Sequence, residues 1–350
     1  MKICLNMIVK NEASVIERCL LSVRKFIDYW VIADTGSTDG TQQIIRRVLK
    51  DIPGELHERP WVNFAHNRNE VLSFSKQKGD YILLIDADEC LEYAPSFSLP
   101  KLDKDVYGII HRSENIEFQR GFLLNNHIPW VWVGVIHEEP KAPTQVSVGF
   151  LASIVNVCLQ DGNRSQDPEK FIKDLGLLEE ALRQEPHQAR YVFYLAETHL
   201  ILENYTEALI RYQQRSVMEP ANQEVFWSLY QIGRLKEQLR EPAESIIQSY
   251  CVAYQHLPSR VEPLFSLSNY YLSSKMFYLA YLIAKEAMAI PTPLDPHFVE
   301  TWMYEWGVLF LFVKSAYAMG RMDEARLASK KLLSVKSFPP HYKEELKKIF

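Results

Sequence analysis

Two carboxylates stand two residues apart at the end of an apolar run, in the segment Tyr81-Ile82-Leu83-Leu84-Ile85-Asp86-Ala87-Asp88-Glu89. The run predicts a buried strand, and ligands of open α/β sheets bind just beyond the carboxyl ends of the strands. Two hard oxygen ligands at that place suit Mg²⁺ or Mn²⁺ carrying a diphosphate. Alone, the Asp-x-Asp pair is a weak signal, because many strands end harmlessly in acidic residues.

A loop rich in glycine and hydroxyl groups, residues 34–41, follows a second apolar run. Gly36 and Gly40 permit turns with positive φ, and Thr38 or Asp39 can cap the helix that follows. Asp34, at the strand end, can accept a hydrogen bond from the imide N–H of a nucleobase. The plainer alternative is an ordinary capped loop between a strand and a helix.

The first apolar run, Lys2–Val9, ends in the polar residues Lys10-Asn11-Glu12. A dinucleotide-binding sheet would carry Gly-x-Gly-x-x-Gly there, so hydride transfer with NAD is disfavoured. A nucleotidyltransferase is disfavoured as well, because it needs a basic, glycine-rich phosphate loop that this position lacks.

Strand and helix patterns alternate through the first half of the chain and position these residues. The alternation predicts a parallel sheet with right-handed crossovers, followed from Tyr107 by a more antiparallel half of the same domain. The predicted strands are Lys2–Val9, Tyr29–Ala33, Glu55–Glu58, Tyr81–Ile85, Tyr107–His111, Trp130–Ile136 and Gln145–Phe150, and the predicted helices are Ala13–Phe26, Thr41–Leu49 and Ala65–Phe74.

The chain changes character after the polar linker Asp161–Pro168. It is predicted helical almost to its end, and Pro186, Pro220, Pro258 and Pro291 stand 33 to 38 residues apart. Periods near ~34 residues are typical of tetratricopeptide-like helix pairs, and a plain helical bundle is the alternative. We therefore expect domains at residues 1–160 and 161–350. Small residues recur where paired helices must approach closely, at Ala208, Ala243, Ala280 and Ala325, with an insertion at Leu294–Trp306.

The segments that carry these candidate groups resemble a known family. Leu5–Glu12, Ala33–Thr41, Phe64–Glu70 and Leu84–Glu89 resemble, in order and spacing, the four consecutive signatures of glycosyltransferase family 2. The resemblance implies a GT-A fold, which is a Rossmann-like mixed sheet with a DxD motif, inversion at the anomeric carbon, and Mn²⁺ or Mg²⁺ as cofactor. The subgroup with a C-terminal tetratricopeptide-like domain is resembled at Trp130–Glu139, Arg164–Lys170, Phe226–Arg234, Pro258–Leu264 and Tyr304–Gly307.

The resemblance also implies roles for individual residues. Asp34 would bind the base of a nucleotide-sugar with Glu12 nearby, and Arg68 would lie on the base and ribose side. Asp86 would contact the ribose or sugar, and Asp88 would ligate a metal that stabilises the leaving diphosphate by several kcal/mol. The full nucleotide-sugar set is Met7, Val9, Asn11, Glu12, Asp34, Gly36, Ser37, Arg68, Asp86 and Ala87.

The resembling segment Trp130–Glu139 supplies the remaining catalytic candidates. His137 would be a second metal ligand as a neutral imidazole. Glu138 would be the general base that removes the acceptor hydroxyl proton. Glu139 is an equal candidate by sequence, and Asp86 completes the catalytic set. Alternatively, His137 merely ends a strand and the glutamates are solvated.

Five further positions qualify the resemblance. Trp130 and Trp132 share a strand face, and they either stack on the acceptor sugar or fill the core. Cys158 stands where a histidine is expected, and Phe310 and Leu311 stand where an acidic pair is expected. These departures put any acceptor or metal role of those positions in doubt.

Composition excludes several other classes. The 350 residues are 47% hydrophobic and 24% charged, as in ordinary globular proteins. The net charge of −5 lacks the positive excess that is typical of proteins that bind nucleic acid. Five scattered cysteines indicate a reduced compartment, and no Cys/His spacing suggests zinc. No signal peptide or spanning segment is recognised. We expect a cytoplasmic protein, with peripheral contact at the inner face of a membrane left open.

The expected function is a metal-dependent inverting hexosyltransferase. Its donor would be a nucleotide-sugar, a UDP-sugar by family habit, and its acceptor a glycan, a lipid-linked glycan or a polypeptide. A tetratricopeptide-type interaction scaffold with a silent enzyme domain is the alternative, and the intact acidic residues argue against it. The repeats would hold the acceptor on a concave surface or form a homodimer. Candidates for that surface, more than half of them expected to be packing residues, are Tyr191, Tyr194, Trp227, Tyr230, Arg234, Tyr270 and Tyr271.

Overall fold

The computed structural model describes residues 1–94, 97–113, 116–220, 223–293 and 298–347. The chain forms two compact units, Met1–Ala181 and Leu182–Phe350. The division falls inside the helix Lys170–Gln184 (α4). The predicted boundary after residue 160, which concerns functional domains, stays a prediction.

The strands of the first unit are β1 (Ile3–Val9), β2 (Tyr29–Asp34), β3 (Gly54–Glu58), β4 (Tyr81–Leu84), β5 (Glu89–Tyr93), β6 (Val106–Ser113), β7 (Ile116–Asn125), β8 (Val131–Val133), β9 (Glu139–Lys141) and β10 (Val148–Cys158). Apart from the β8–β9 hairpin, they join in the order β3-β2-β1-β4-β7-β6-β10-β5. The first four strands are mutually parallel, and the second half is mixed. This confirms the predicted mixed sheet.

Helices cover both faces of the parallel half. They are α1 (Ile16–Val23), α2 (Thr41–Val48) and α3 (Phe64–Phe74). α1 and α2 pack on the face that carries Leu5 and Met7, and α3 packs on the face that carries Cys4 and Val31. Because both of their faces are buried, the strands β1, β2 and β4 are largely apolar runs, which is why the sequence predicts them well.

The mixed half follows its prediction less closely. The expected strand Gln145–Phe150 lies instead at Val148–Cys158, and only Val131–Val133 of the expected strand Trp130–Ile136 is extended. β5 and β7 were not predicted. Both bring charged residues into the site, so neither presents the apolar run on which a strand prediction depends.

The second unit is a series of helix pairs. Its helices are α5 (Ala189–Ile201), α6 (Tyr205–Ser216), α7 (Gln223–Gln238), α8 (Ala243–His256), α9 (Glu262–Ser273), α10 (Phe277–Ala287), α11 (Val308–Ala318), α12 (Met322–Leu333) and α13 (Pro340–Lys347). Consecutive helices contact each other from α5 to α12, and α9 also contacts α7 and α11. First helices therefore stack on first helices, which is the predicted tetratricopeptide-like arrangement.

An extended pair, Val299–Glu300, and a π-helical turn, Met303–Gly307, precede α11. They belong to the predicted insertion, whose residues 294–297 lie outside the described residues. In the parts of the chain that the structure describes, no helix combines the length and apolar character needed to cross a bilayer.

Three of the four small residues are buried as predicted, at Ala208, Ala280 and Ala325. The prediction was wrong for Ala243, which is exposed. The helix α8 begins at this residue, and Ile246 is buried in its place. Most of the candidate groove aromatics are packing residues, as expected, since Tyr191, Trp227, Tyr230 and Tyr271 are buried. Phe310 and Leu311 also fill the core, so apolar packing occupies the two positions where an acidic pair was expected.

Candidate active site at the carboxyl edge of the sheet

The neighbouring strands β2, β1 and β4 deliver the predicted residues to one edge of the sheet. β2 ends at Asp34, β1 leads into Glu12, and β4 leads into Asp86. Hydrogen bonds of 2.8 Å join the loops after β1 and β2, from the Asn11 amide to Ser37 Oγ and from the Thr38 amide to Asn11 Oδ1. The edge is therefore prepared before any ligand binds, at the place where α/β sheets hold their ligands.

Asp34 has one satisfied and one unsatisfied carboxylate oxygen. Its Oδ1 accepts hydrogen bonds from the amides of Gly36 (2.9 Å) and Ser37 (2.7 Å), in a turn that Gly36 makes with φ of +106°. Its Oδ2 is buried and has no hydrogen-bond partner among the described residues. Such an oxygen costs about 1–3 kcal/mol, so a ligand N–H fits there. The adjoining cavity of about 300 Å³ is lined by residues 34, 36–37, 42 and 58–60.

An acidic cluster lies beside this cavity. Burial is the main cause that raises the pKa of Glu12 to about 7; the Asn163 amide opposes the rise, and the nearby carboxylates of Asp88, Asp39 and Asp86 contribute to it. Burial also raises the pKa of Asp88, with Asp86 and Glu89 adding to the effect. Carboxyls that raise one another's pKa hold negative charge that a divalent cation would neutralise. The hard oxygen donors present therefore fit Mg²⁺ or Mn²⁺.

The predicted linker Asp161–Pro168 is part of this cluster. The Asn163 amide donates to Glu12 Oε2 (3.1 Å), and Ser165 Oγ donates to Asp88 Oδ2 (3.4 Å). The segment therefore holds both carboxylates in place, a role that its turn-rich composition alone did not indicate.

Two arginines organise the carboxylates on the other side of Asp86. Arg68 donates from Nη2 to Asp86 Oδ1 (2.6 Å) and from Nε to Glu138 Oε1 (2.5 Å). Arg120 donates to Asp86 Oδ2 (3.0 Å) and to Glu89 Oε1 (2.5 Å). Burial alone would raise the pKa of Asp86, but the guanidinium groups of Arg68 and Arg120 outweigh this effect and hold the pKa well below its usual value. Asp86 is therefore a permanent anion whose oxygens are both engaged.

The loop after β8 presents the predicted base. Gly134 has φ of +108°, and a Cβ there would lie 3.3 Å from Glu138 Cα, so only glycine lets the chain turn. Glu138 is buried at the end of this turn, with 8% of its side chain exposed. Glu139 lies outside it, in β9, and pairs with Lys141 at 2.6 Å. His137 is exposed and has φ of +50°.

The two tryptophans of this segment are buried. Trp130 and Trp132 pack with Leu72 and Ile82, so their rings contribute to the core. Trp132 also supports the site, since its ring lies 4.9 Å from the Arg68 guanidinium carbon. The predicted acceptor role of both residues stays a prediction.

The remaining nucleotide-sugar candidates divide into two groups. Asn11, Gly36 and Ser37 lie at the edge just described. Met7 and Val9 are buried in the core with α1 and α2, so a ligand would reach them only through their backbone. Ala87 is also buried with that core. Three residues that the sequence did not single out, Glu89, His111 and Arg120, adjoin the site.

A sequence comparison matches the N-terminal part of the chain to a family model. The model described as Glycosyl transferase family 2 matches residues 4–102, which contain all four signature segments and the edge residues Glu12, Asp34, Arg68, Asp86 and Asp88. Residues 4–102 belong to glycosyltransferase family 2. Arg120 and Glu138 lie beyond the matched family 2 region, although their side chains contact it.

Two relatives described as glycosyltransferases agree with this assignment. The chain is 27% identical over 227 residues to the SPbeta prophage-derived glycosyltransferase SunS of Bacillus subtilis (strain 168), covering 60% of this chain and 52% of SunS. It is 36% identical over 90 residues to an uncharacterized glycosyltransferase of Rickettsia bellii (strain RML369-C), covering 25% and 28%. The chain thus spans about half the length of SunS.

Solved structures resemble the chain only loosely. The MamA protein matches 52% of this chain and 91% of its own, with 14% identity and a TM-score of 0.40. A thermophilic TPR protein of Thermus thermophilus matches 51% and 90%, with 17% identity and a TM-score of 0.36. Likenesses this weak carry no argument, and the repeat assignment rests on the helix pairing itself.

Proposed function

We propose that this protein transfers a sugar from a nucleotide-sugar to an acceptor hydroxyl, with inversion and with the help of a divalent cation. The single observation that supports it most is the unsatisfied Oδ2 of buried Asp34 beside the acidic cluster of Glu12 and Asp88. One edge of the sheet thus offers an acceptor for a base and a place for a metal that carries a diphosphate.

The donor proposed is a UDP-sugar. Asp34 Oδ2 receives no hydrogen bond from the part of the chain that the structure describes, and the imide N–H of uracil would supply one. Gly36 and Ser37 hold the other carboxylate oxygen through their amides, so the aspartate is oriented in advance. Preorientation of this kind lowers the entropic cost of binding.

The metal proposed is Mn²⁺ or Mg²⁺, held by Asp88 with Glu12 facing it and with His137 as the further candidate. When bound, it would neutralise charge on the departing diphosphate. The chain's own contribution is to keep the two carboxylates close in the absence of the cation, through Asn163 and Ser165.

The base proposed is Glu138 rather than Glu139. Glu138 is buried and held by Arg68 through one oxygen, which leaves the other to accept a proton from an acceptor hydroxyl. Glu139 is more exposed and paired with Lys141. Arg68 also binds Asp86, so one guanidinium fixes the position of the base relative to the end of β4.

The helical unit is proposed to hold the acceptor, a glycan or a polypeptide, or to join two copies of the chain. Stacked first helices form the kind of surface that binds extended partners. Arg234 remains exposed on α7 among otherwise buried aromatic residues, and it could contact such a partner.

The test is binding and slow hydrolysis of a panel of UDP- and GDP-sugars, with Mn²⁺, with Mg²⁺ and with EDTA. The unmodified protein is compared with Asp88→Asn, Asp34→Asn and a matched surface control, Asp51→Asn, whose carboxylate is 60% exposed. We expect metal-dependent turnover of one UDP-sugar, lost in Asp88→Asn and weakened at the level of donor affinity in Asp34→Asn. If a folded sample binds no donor and no free nucleotide, the enzyme proposal fails and the scaffold alternative takes its place.

A further inference from the structure

Three chemically distinct side chains meet where β6, β10 and β5 lie side by side. Glu89 begins β5, His111 lies in β6, and Cys158 ends β10 directly opposite Glu89. Each offers one ligand atom, and the three atoms lie within 4.8 Å of one another. They are 22 to 69 residues apart in the sequence, so they do not form a local sequence motif.

The surroundings of this cluster resemble those of a metal ligand set. Glu89 and His111 are 2% and 6% exposed. Asn156, opposite His111 in the register and 3% exposed, places its amide nitrogen 3.2 Å from His111 Nδ1. Its Oδ1 is buried without a hydrogen-bond partner among the described residues. Because an amide nitrogen only donates, Asn156 bonds to an unprotonated Nδ1 and fixes the orientation of the imidazole ring.

The local charge also favours a cation. The carboxylates of Asp86, Glu89 and Glu138 share only two guanidinium groups, those of Arg68 and Arg120, and Asp88 adds a further carboxylate nearby. The excess is negative before Cys158 is considered. A thiol, an imidazole and a carboxylate form a softer set than the oxygens at Asp88, and zinc prefers such ligands.

We propose that Glu89, His111 and Cys158 bind a zinc-class cation at a site separate from the one proposed at Asp88. On binding, the Cys158 Sγ–H bond breaks, the proton leaves to solvent, and the sulfur forms the bond to the metal. The site does not depend on the glycosyltransferase proposal, since it concerns binding alone.

Cobalt titration tests the site, because Co²⁺ replaces Zn²⁺ and a thiolate ligand gives it a near-ultraviolet charge-transfer band. The band should appear with one equivalent of Co²⁺ on the full chain and should disappear when Zn²⁺ is added. It should be absent in Cys158→Ser, and the affinity for Zn²⁺ should fall at least about tenfold in His111→Gln, as for loss of one ligand or its support. Circular dichroism checks that both variants are folded.

Two controls separate this site from its neighbours. Cys90→Ser removes the thiol next to Glu89 in β5, and Asp88→Asn removes the carboxylate of the other proposed metal; both should keep the band. A wild-type protein without the band, or a band that survives Cys158→Ser, overturns the proposal. Loss of the band in Asp88→Asn also overturns it, because the two metals would then share one site.

Discussion

The ion pair of Arg68 and Glu138 links the family 2 region to the loop that carries the proposed base, and it can be weighed by a double-mutant cycle. The perturbations are Arg68→Met, Glu138→Gln and the double variant. Both side chains are buried, 9% and 8% exposed, and the Nε–Oε1 distance is 2.5 Å. Arg68 also holds Asp86, which keeps Arg120 as a partner when Arg68 is removed.

The magnitudes follow from what each variant leaves unpaired. Arg68→Met leaves the Glu138 carboxylate buried without a cation, which should cost about 3–5 kcal/mol. Glu138→Gln leaves Arg68 bonded to Asp86 and should cost only about 1–2 kcal/mol. The double variant buries no unpaired charge at this position. It should therefore be more stable than the sum of the single variants predicts, by about 2 kcal/mol.

The assay is native-state hydrogen exchange of β1 and β4, because these strands report the opening of the first unit alone. A matched cycle on the pair Arg47–Glu17 is the control: its nitrogen–oxygen distance is 2.7 Å, but its side chains are 61% and 47% exposed. That pair should show a coupling below about 1 kcal/mol.

A coupling between Arg68 and Glu138 within about 0.5 kcal/mol of zero would refute the reasoning, because independent sites add to that accuracy. It would mean that water or another group replaces the guanidinium at no cost. The interpretation of Glu138 as a base held in place by Arg68 would then fail with it.

Three more predictions concern the acidic cluster and its glycines. The pKa of Glu12 is raised to about 7 from an ordinary 4.5, so without metal this residue's contribution to stability is full below pH 4.5 and is lost as pH rises to 7. The free energy of unfolding of Glu12→Gln, relative to that of the wild type, should therefore rise by roughly 2 kcal/mol across that pH window, after allowance for partial exposure. Urea unfolding in EDTA measures this rise. A difference between the two proteins that does not change with pH contradicts the prediction. In Gly162→Ala the new Cβ would lie 3.0 Å from Asp88 Cβ and 3.1 Å from Asp88 Oδ2. Because this displaces the carboxylate slightly, the affinity for Mn²⁺, measured by calorimetry, should fall about tenfold. An unchanged affinity would argue that Asp88 is not a metal ligand. Gly134→Ala places a side chain at φ of +108° and should slow transfer while donor affinity stays the same, and a loss confined to donor affinity would argue against a base on that loop.

Much of the site follows from local pattern. Asp34 and Asp86 stand at the ends of apolar runs, and parallel strands bring such ends to one edge, so their proximity needed only the alternation of strand and helix. The partners of Asp86 were harder to predict from the sequence. Arg68 carried a signal in its motif, but Arg120 lies in β7, an unpredicted strand whose charged residues conceal its period.

The linker shows a second limit of local pattern. Its turn-rich residues predict a boundary, yet Asn163 and Ser165 hydrogen-bond to Glu12 and Asp88. Turn composition describes the backbone that a segment adopts and says nothing about the carboxylates that it will face. Ala243 shows the same limit in the second unit, because a shift in where α8 begins decides which of its residues is buried.

By itself the sequence determined the mixed sheet, the repeat-like helical half and the family of residues 4–102, because hydrophobic period and loop motifs are local and leave their mark in consecutive residues. Only the tertiary structure decided which charges meet. It left one oxygen of Asp34 unsatisfied and tied Glu138 to Asp86 through Arg68. It also brought Glu89, His111 and Cys158 together, although the spacing of the cysteines in the sequence had not indicated a zinc site. The physical reason is that ligand sets and ion pairs depend on strand order and register, which join residues far apart along the chain.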